Sequence, residues 1–108
     1  LGDVSNAIET YAKRHKLGVV KELVGHGVGS HLHEDPDVPN FGRAGSGPKL
    51  MANATIAIEP MVNMGAYNVY CDEKNGWTIK TSDGKFAAHY ENTIVILPNG
   101  PEILTLIK

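Results

Sequence analysis

The chain has a single cysteine, Cys71, only two phenylalanines and one tryptophan, no marked excess of charge of either sign, and no long apolar run. Each shortage excludes something. One thiol forms no intramolecular disulfide and no multi-thiolate zinc site, which fits a reducing compartment and leaves His, Asp and Glu as the possible metal ligands. Ten Lys and Arg against twelve Asp and Glu give a formal charge of −2. No field of that size draws the chain to nucleic acid or to an anionic membrane, so neither is expected as a partner. No stretch approaches the roughly 20 apolar residues of a transmembrane helix and no basic-then-apolar leader opens the chain, so the cytoplasm is the expected location. At 108 residues the chain is one domain's worth, too short for separate cofactor and substrate lobes. Its first residue is Leu1 rather than Met, as expected of a segment of something longer.

What is present reads as one helix followed by strands. Asp3 is a candidate N-cap, and Val4, Ala7, Ile8, Tyr11 and His15 recur at helical spacing until Gly18, which predicts one amphipathic helix. The β-branched content of 19–24 predicts a strand running into the Gly25-His26-Gly27-Val28-Gly29 segment. From Glu34 to Pro48 the density of proline and glycine predicts a long surface loop. Strands are expected at 55–61, 78–81, 92–97 and 103–107, with a turn at Ser82-Asp83-Gly84. The expected class is α+β, a helix packed on an antiparallel sheet.

Three of the five histidines, His26, His31 and His33, crowd into eight positions of the glycine-rich stretch. Glycines at 25, 27 and 29 remove side-chain bulk around His26, which suits an imidazole reaching into a cleft while backbone passes close to a ligand. A dinucleotide fingerprint fails here, because Ser30 stands where its third glycine belongs and prolines follow instead of a helix. Glu59 and Glu91 each sit beside a strongly apolar run. A carboxylate within an apolar strand is costly unless paired or bound to a cation. Two such carboxylates on neighbouring antiparallel strands can converge, and with one imidazole they form a His-Glu-Glu set suited to Mn, Fe, Co or Zn. For each glutamate alone, an outward-facing place at a strand end explains the residue as well.

The blocks Gly25-His26-Gly27-Val28-Gly29-Ser30-His31-Leu32-His33-Glu34-Asp35-Pro36, Ile58-Glu59-Pro60-Met61-Val62-Asn63, Gly76-Trp77-Thr78 and Tyr90-Glu91-Asn92-Thr93-Ile94-Val95, in that order, resemble the type I methionine aminopeptidases of the pita-bread metallopeptidase fold. The resemblance covers nearly the whole chain and implies the C-terminal portion of such a catalytic domain over 1–108. It implies a pair of divalent metals held by two aspartates, one histidine and two glutamates, with His26, Glu59 and Glu91 as the ligands found here and Glu91 bridging. It marks His33 and Glu59 as catalytic, with His33 contacting the substrate near the scissile bond, and Trp77 and Leu32 as residues at the methionine pocket. The implied reaction removes the initiator methionine from nascent polypeptides whose second residue is small, which makes polypeptide N-termini the partners and places the protein near the ribosome. Proline-directed members of the same fold typically carry Glu-Pro-Gly where this chain has Glu59-Pro60-Met61. Type II enzymes insert a helical subdomain between the histidine and the first glutamate, and the interval from His26 to Glu59 has no room for one.

The departures are as informative. The family's two aspartates lie upstream of the histidine, and Asp3 is the sole aspartate before His26. These 108 residues are therefore expected to bind at most one metal, weakly, to be inactive alone, and to associate through an exposed sheet or with an N-terminal half. Leu32 stands where many members have an aromatic, and His89 where a glutamine is common. His31 has no family role and is expected at the surface. Two other classes fit parts of the pattern. A cupin-like barrel matches Gly25, His31-x-His33 and Gly42 but lacks the glutamate that should follow, and it would make His31 a ligand. A non-catalytic binding module on the pita-bread fold would have lost ligands that this chain retains.

Overall fold

A computed structural model describes residues 1–107. It has one helix, α1 (Gly2–Arg14), and ten short strands: β1 (Gly18–Val19), β2 (Gly25–Val28), β3 (Glu34–Val38), β4 (Thr55–Ile58), β5 (Met61–Asn63), β6 (Val69–Cys71), β7 (Ile79–Thr81), β8 (Ala87–His89), β9 (Asn92–Leu97) and β10 (Gly100–Ile103). Every strand pairing is antiparallel. The strands form three sheets rather than the single one expected: β10-β9-β4-β2-β3, β1-β5-β8 and the hairpin β6-β7.

The helix starts at Gly2, with no side chain capping it. Asp3 instead accepts a hydrogen bond from the Gly45 amide at 2.7 Å. The helix stops at Arg14, four residues before Gly18, and Lys16 takes the left-handed conformation (φ 59°). Lys13 and Arg14 lie in its last turn, where cations meet the negative end of the helix dipole. Gly2, Ser5 and Ala12 are its buried residues, whereas Tyr11, expected on the apolar face, is 62% exposed. Small residues let the 40–46 loop lie against the helix, where Gly42 donates its amide to Glu9 at 2.9 Å and Asn6 donates to the Gly42 carbonyl at 2.9 Å.

The stretch 34–48 opens with a strand, contrary to the loop expected from its prolines. β3 is an edge strand, and an edge tolerates Pro36 because proline's missing donor faces no neighbour there. β10 is the opposite edge and contains Pro101, so the last strand begins at Gly100 and ends at Ile103 instead of spanning 103–107. The run 19–24 is likewise not one strand: only Gly18 and Val19 pair, with Asn63 and Val62 of β5. β6 and β8 were not expected, being only three residues long and flanked by turns. The core is small, with Ala12, Val19, Val20, Val38, Ile56 and Ala57 its buried apolar residues.

Two ladders share one register. Ile58 faces Asn92 in β4–β9 and Met61 faces His89 in β5–β8, so 55–63 runs against 87–95 without a slip. Pro60 has no N–H to give and marks the place where the paired chains leave one sheet for the other, while its carbonyl accepts the Tyr90 amide at 3.4 Å. Glu59 and Glu91 lie opposite one another at that hand-over.

Candidate metal centre

The pleat brings the three predicted ligands together. Side chains alternate between sheet faces, so residues two apart on a strand and residues directly opposite on neighbours share a face. His26 is opposite Ala57 and Ala57 is opposite Thr93. Glu59 lies two residues beyond Ala57 and Glu91 two before Thr93, which places all three on the face of His26. Ala57, fully buried and small, leaves the space above it clear. The His26, Glu59 and Glu91 ligand atoms lie within 4.8 Å of one another. Among the described residues no other set of His, Cys, Asp and Glu converges in this way. Small side-chain rotations suffice to reach metal bonds of roughly 2.0 to 2.2 Å.

Each glutamate stands one residue outside a strand, not within it as the apolar neighbours suggested. Glu91 is exposed, Glu59 is partly buried, and His26 is buried at 8% exposure. The glycines act differently from expectation as well. A Cβ on Gly25 would run into the Ala57 carbonyl, and one on Gly27 into the Asp35 carbonyl. They let β3 and β4 close on β2, and the backbone they admit is the protein's own.

The hydrogen bonds around His26 define its chemistry. Nδ1 lies 2.8 Å from the Gly27 carbonyl oxygen, which can only accept, so Nδ1 carries the proton. In the neutral ring Nε2 is then a bare lone pair, and it faces Glu59 Oε1 at 3.2 Å. Two acceptors held face to face repel unless a positive charge lies between them. Either a second ring proton or a divalent cation supplies it, and an imidazole whose other nitrogen donates to a carbonyl is the usual arrangement of a metal-bound histidine. One borderline nitrogen and two hard oxygens suit Mn, Fe, Co or Zn. The donor set therefore fits a divalent metal.

The other predicted residues fall around this set. The His33 ring lies 4.2 Å from the His26 ring, centroid to centroid, with His33 itself exposed. Both line a cavity of about 770 Å³ that also takes in Glu59, Trp77 and the apolar side chains of Val20, Leu23, Met61, Val69 and Ile79. Trp77 is 85% exposed, so it is not a core aromatic. Its hairpin is tied by Asp72, which accepts from the Lys80 ammonium at 2.9 Å and the Lys74 amide at 2.9 Å and is held below the ordinary aspartate value by them. Leu32 is 71% exposed and is not among the residues lining that cavity. His31 is exposed, with its nearest acidic group Glu34 at 3.7 Å, which removes the ligand that a cupin-like barrel requires. His89 joins the site without having been assigned a role, its Nε2 lying 3.1 Å from Glu59 Oε2. The detectable signal was strand alternation, since His89 is two residues before Glu91 and shares its face.

A helix and antiparallel sheets presenting one imidazole and two carboxylates beside an apolar cavity define a metal-binding class of site. The chain belongs to metallopeptidase family M24, whose model matches residues 1–98. It is 62% identical over 108 residues to the methionine aminopeptidase of Clostridium perfringens and 48% identical over 107 residues to methionine aminopeptidase 1 of Bacillus subtilis. These alignments take in 100% and 99% of this chain but 43% of each relative. The crystal structure of methionine aminopeptidase from Rickettsia prowazekii superposes with a TM-score of 0.95 at 39% identity, covering 97% of this chain and 42% of that one. The fold is thus the pita-bread fold of the methionine aminopeptidases, and the chain spans less than half the length of its curated relatives.

Proposed function

We propose that the protein carrying this chain is a methionyl aminopeptidase, removing the N-terminal methionine from nascent polypeptides with a small second residue. The single observation that carries the reading is an apolar cavity opening directly onto His26 and Glu59. Such a cavity suits an unbranched apolar side chain next to the bond to be cut. His26, Glu59 and Glu91 would hold a divalent metal, which would supply an activated water at neutral pH and polarise the scissile carbonyl. The remaining work falls to the chain's own residues. Val20, Leu23, Met61, Val69 and Ile79 bind the methionine side chain and exclude water from it, with Trp77 at the mouth. Glu59 is both ligand and the carboxylate that takes the attacking water's proton. His33, beside His26, donates a hydrogen bond to the oxygen on which charge develops, and such bonds count most where charge appears only in the transition state. On this reading the partners are polypeptide N-termini as they leave the ribosome; the relatives' names support the aminopeptidase activity itself.

The test is release of free methionine by the full-length protein that carries this chain, loaded with Mn or Co. Peptides beginning Met-Ala and Met-Leu are compared with one beginning Ala-Pro. Methionine release from Met-Ala far above that from Met-Leu is the expected result. Cleavage of the proline peptide alone, or no metal-dependent cleavage of any of the three, would overturn the reading.

A further inference from the structure

We propose that His89 is a positioning residue for Glu59, deciding which of its two oxygens is offered to the metal; the inference rests on the reading of Glu59 as a ligand. Glu59 lies beyond the end of β4, so no strand pairing fixes the orientation of its carboxylate. Two imidazoles face that carboxylate. His26 Nε2 is 3.2 Å from Oε1 and His89 Nε2 is 3.1 Å from Oε2. Their roles are opposite. The proton of His26 is committed at Nδ1 to the Gly27 carbonyl, so its Nε2 presents a lone pair. A carboxylate oxygen only accepts, so the His89 Nε2 facing Oε2 carries a proton and donates it. That N–H holds Oε2 and leaves Oε1 turned toward His26, into the space where a shared cation would sit.

The position of His89 follows from the ladder. It pairs with Met61, two residues past Glu59, and lies two before Glu91 on the same face. One hairpin therefore carries the ligand Glu91 and the residue that aims the ligand Glu59. His89 does not belong to the converging ligand set, and its donating nitrogen has no lone pair to give. Its side chain is 46% exposed, so replacing it removes little packing.

The experiment measures Mn affinity by titration calorimetry and the visible spectrum of the Co-loaded protein, in the full-length protein that carries this chain, for wild type, His89→Ala, His89→Leu and His89→Gln. Partners that orient a metal ligand are typically worth 10–100-fold in affinity. His89→Ala and His89→Leu are expected to weaken Mn binding by that order and to alter the Co spectrum, which reports ligand geometry and does not respond to a general loss of stability. His89→Gln, whose amide N–H reaches a similar place, is expected to restore both. His31→Ala, exposed and outside the converging set, is the control that changes neither. Unchanged affinity and spectrum in both non-donating variants would overturn the proposal. So would a glutamine variant as impaired as alanine, because donation would then not be what His89 contributes. The alanine and leucine variants remove the donor at two different volumes, so misfolding of one leaves the other to decide. A wild-type full-length protein that binds neither Mn nor Co would instead sink the metal reading, and this inference with it.

Discussion

The buried imidazole of His26 and the exposed one of His33 sit side by side and do different things. His26 has its Nδ1 proton committed to Gly27 and its other nitrogen aimed at Glu59, an arrangement suited to holding a metal. His33 touches the His26 ring but is bonded to neither glutamate and opens on the cavity. His33→Ala in the full-length protein is therefore expected to lower kcat about 10²–10³-fold, the usual cost of losing one transition-state donor. Mn affinity should hardly change. Metal titration and kinetics on the same variant separate the two roles, and a collapse of affinity with activity per bound metal intact would make His33 a ligand instead. At this scale the candidate site was well marked in the sequence: a histidine among glycines and two glutamates next to apolar runs. The reasons attached to those residues were less accurate. The glutamates cap strand ends, and the glycines admit neighbouring backbone, because pairing across a sheet is a property of segments far apart in the chain. The tautomer of His26 was invisible for the same reason.

Elements were legible where pattern and environment agree. β4 and β9 are apolar, short and central: β9 has the bounds expected of it, and β4 starts where expected but ends at Ile58, three residues early. β3 and β10 are edges, where the rule against proline lapses, so composition pointed away from strands that exist. The helix was found but its buried face was not. It packs through Gly2, Ser5 and Ala12 because the 40–46 loop lies on it, and the anchor of that contact is Glu9. This carboxylate pairs with Lys13 at 2.8 Å and accepts the Gly42 amide, and those contacts, the Lys13 pair first, hold it below the ordinary glutamate value of 4.5. A carboxyl whose folded value is depressed adds stability that is present above its unfolded value and lost as pH falls through the folded one. The thermal midpoint of wild type should therefore exceed that of Glu9→Gln at pH 7, and the gap should close on acidification below about pH 4.5. Asp72 and Asp83 are depressed by their own partners in both proteins, so the difference between the two melts isolates Glu9. A gap that stays constant down to pH 3 would mean that the ionised carboxylate contributes nothing to docking the loop.

At the scale of the whole molecule, much apolar surface lies open for so small a core. All six residues of β9 are only half-buried, all three of β8 are exposed, and Trp77, Phe86, Tyr90 and Ile107 are each more than 70% exposed. The curated relatives have more than half of their length beyond what this chain matches, and surface of this kind is what a further packed layer would cover. Three ligands would hold one cation with open positions, as in many catalytic zinc sites, whereas a second cation would have no ligand of its own among these three. Residues 1–108 expressed by themselves are thus expected to bind at most one Mn or Co, weakly, to release no appreciable methionine from Met-Ala peptides, and to self-associate as concentration rises. Sedimentation, metal titration and a turnover assay read the three consequences separately. The decisive comparison is the same assay after mixing with the separately made upstream portion of the Clostridium perfringens enzyme, which is expected to bring activity, a second metal and a smaller tendency to associate. If residues 1–108 alone turned over as fast as the mixture, then His26, Glu59 and Glu91 would suffice for catalysis. The open face of the sheet would in that case need another explanation.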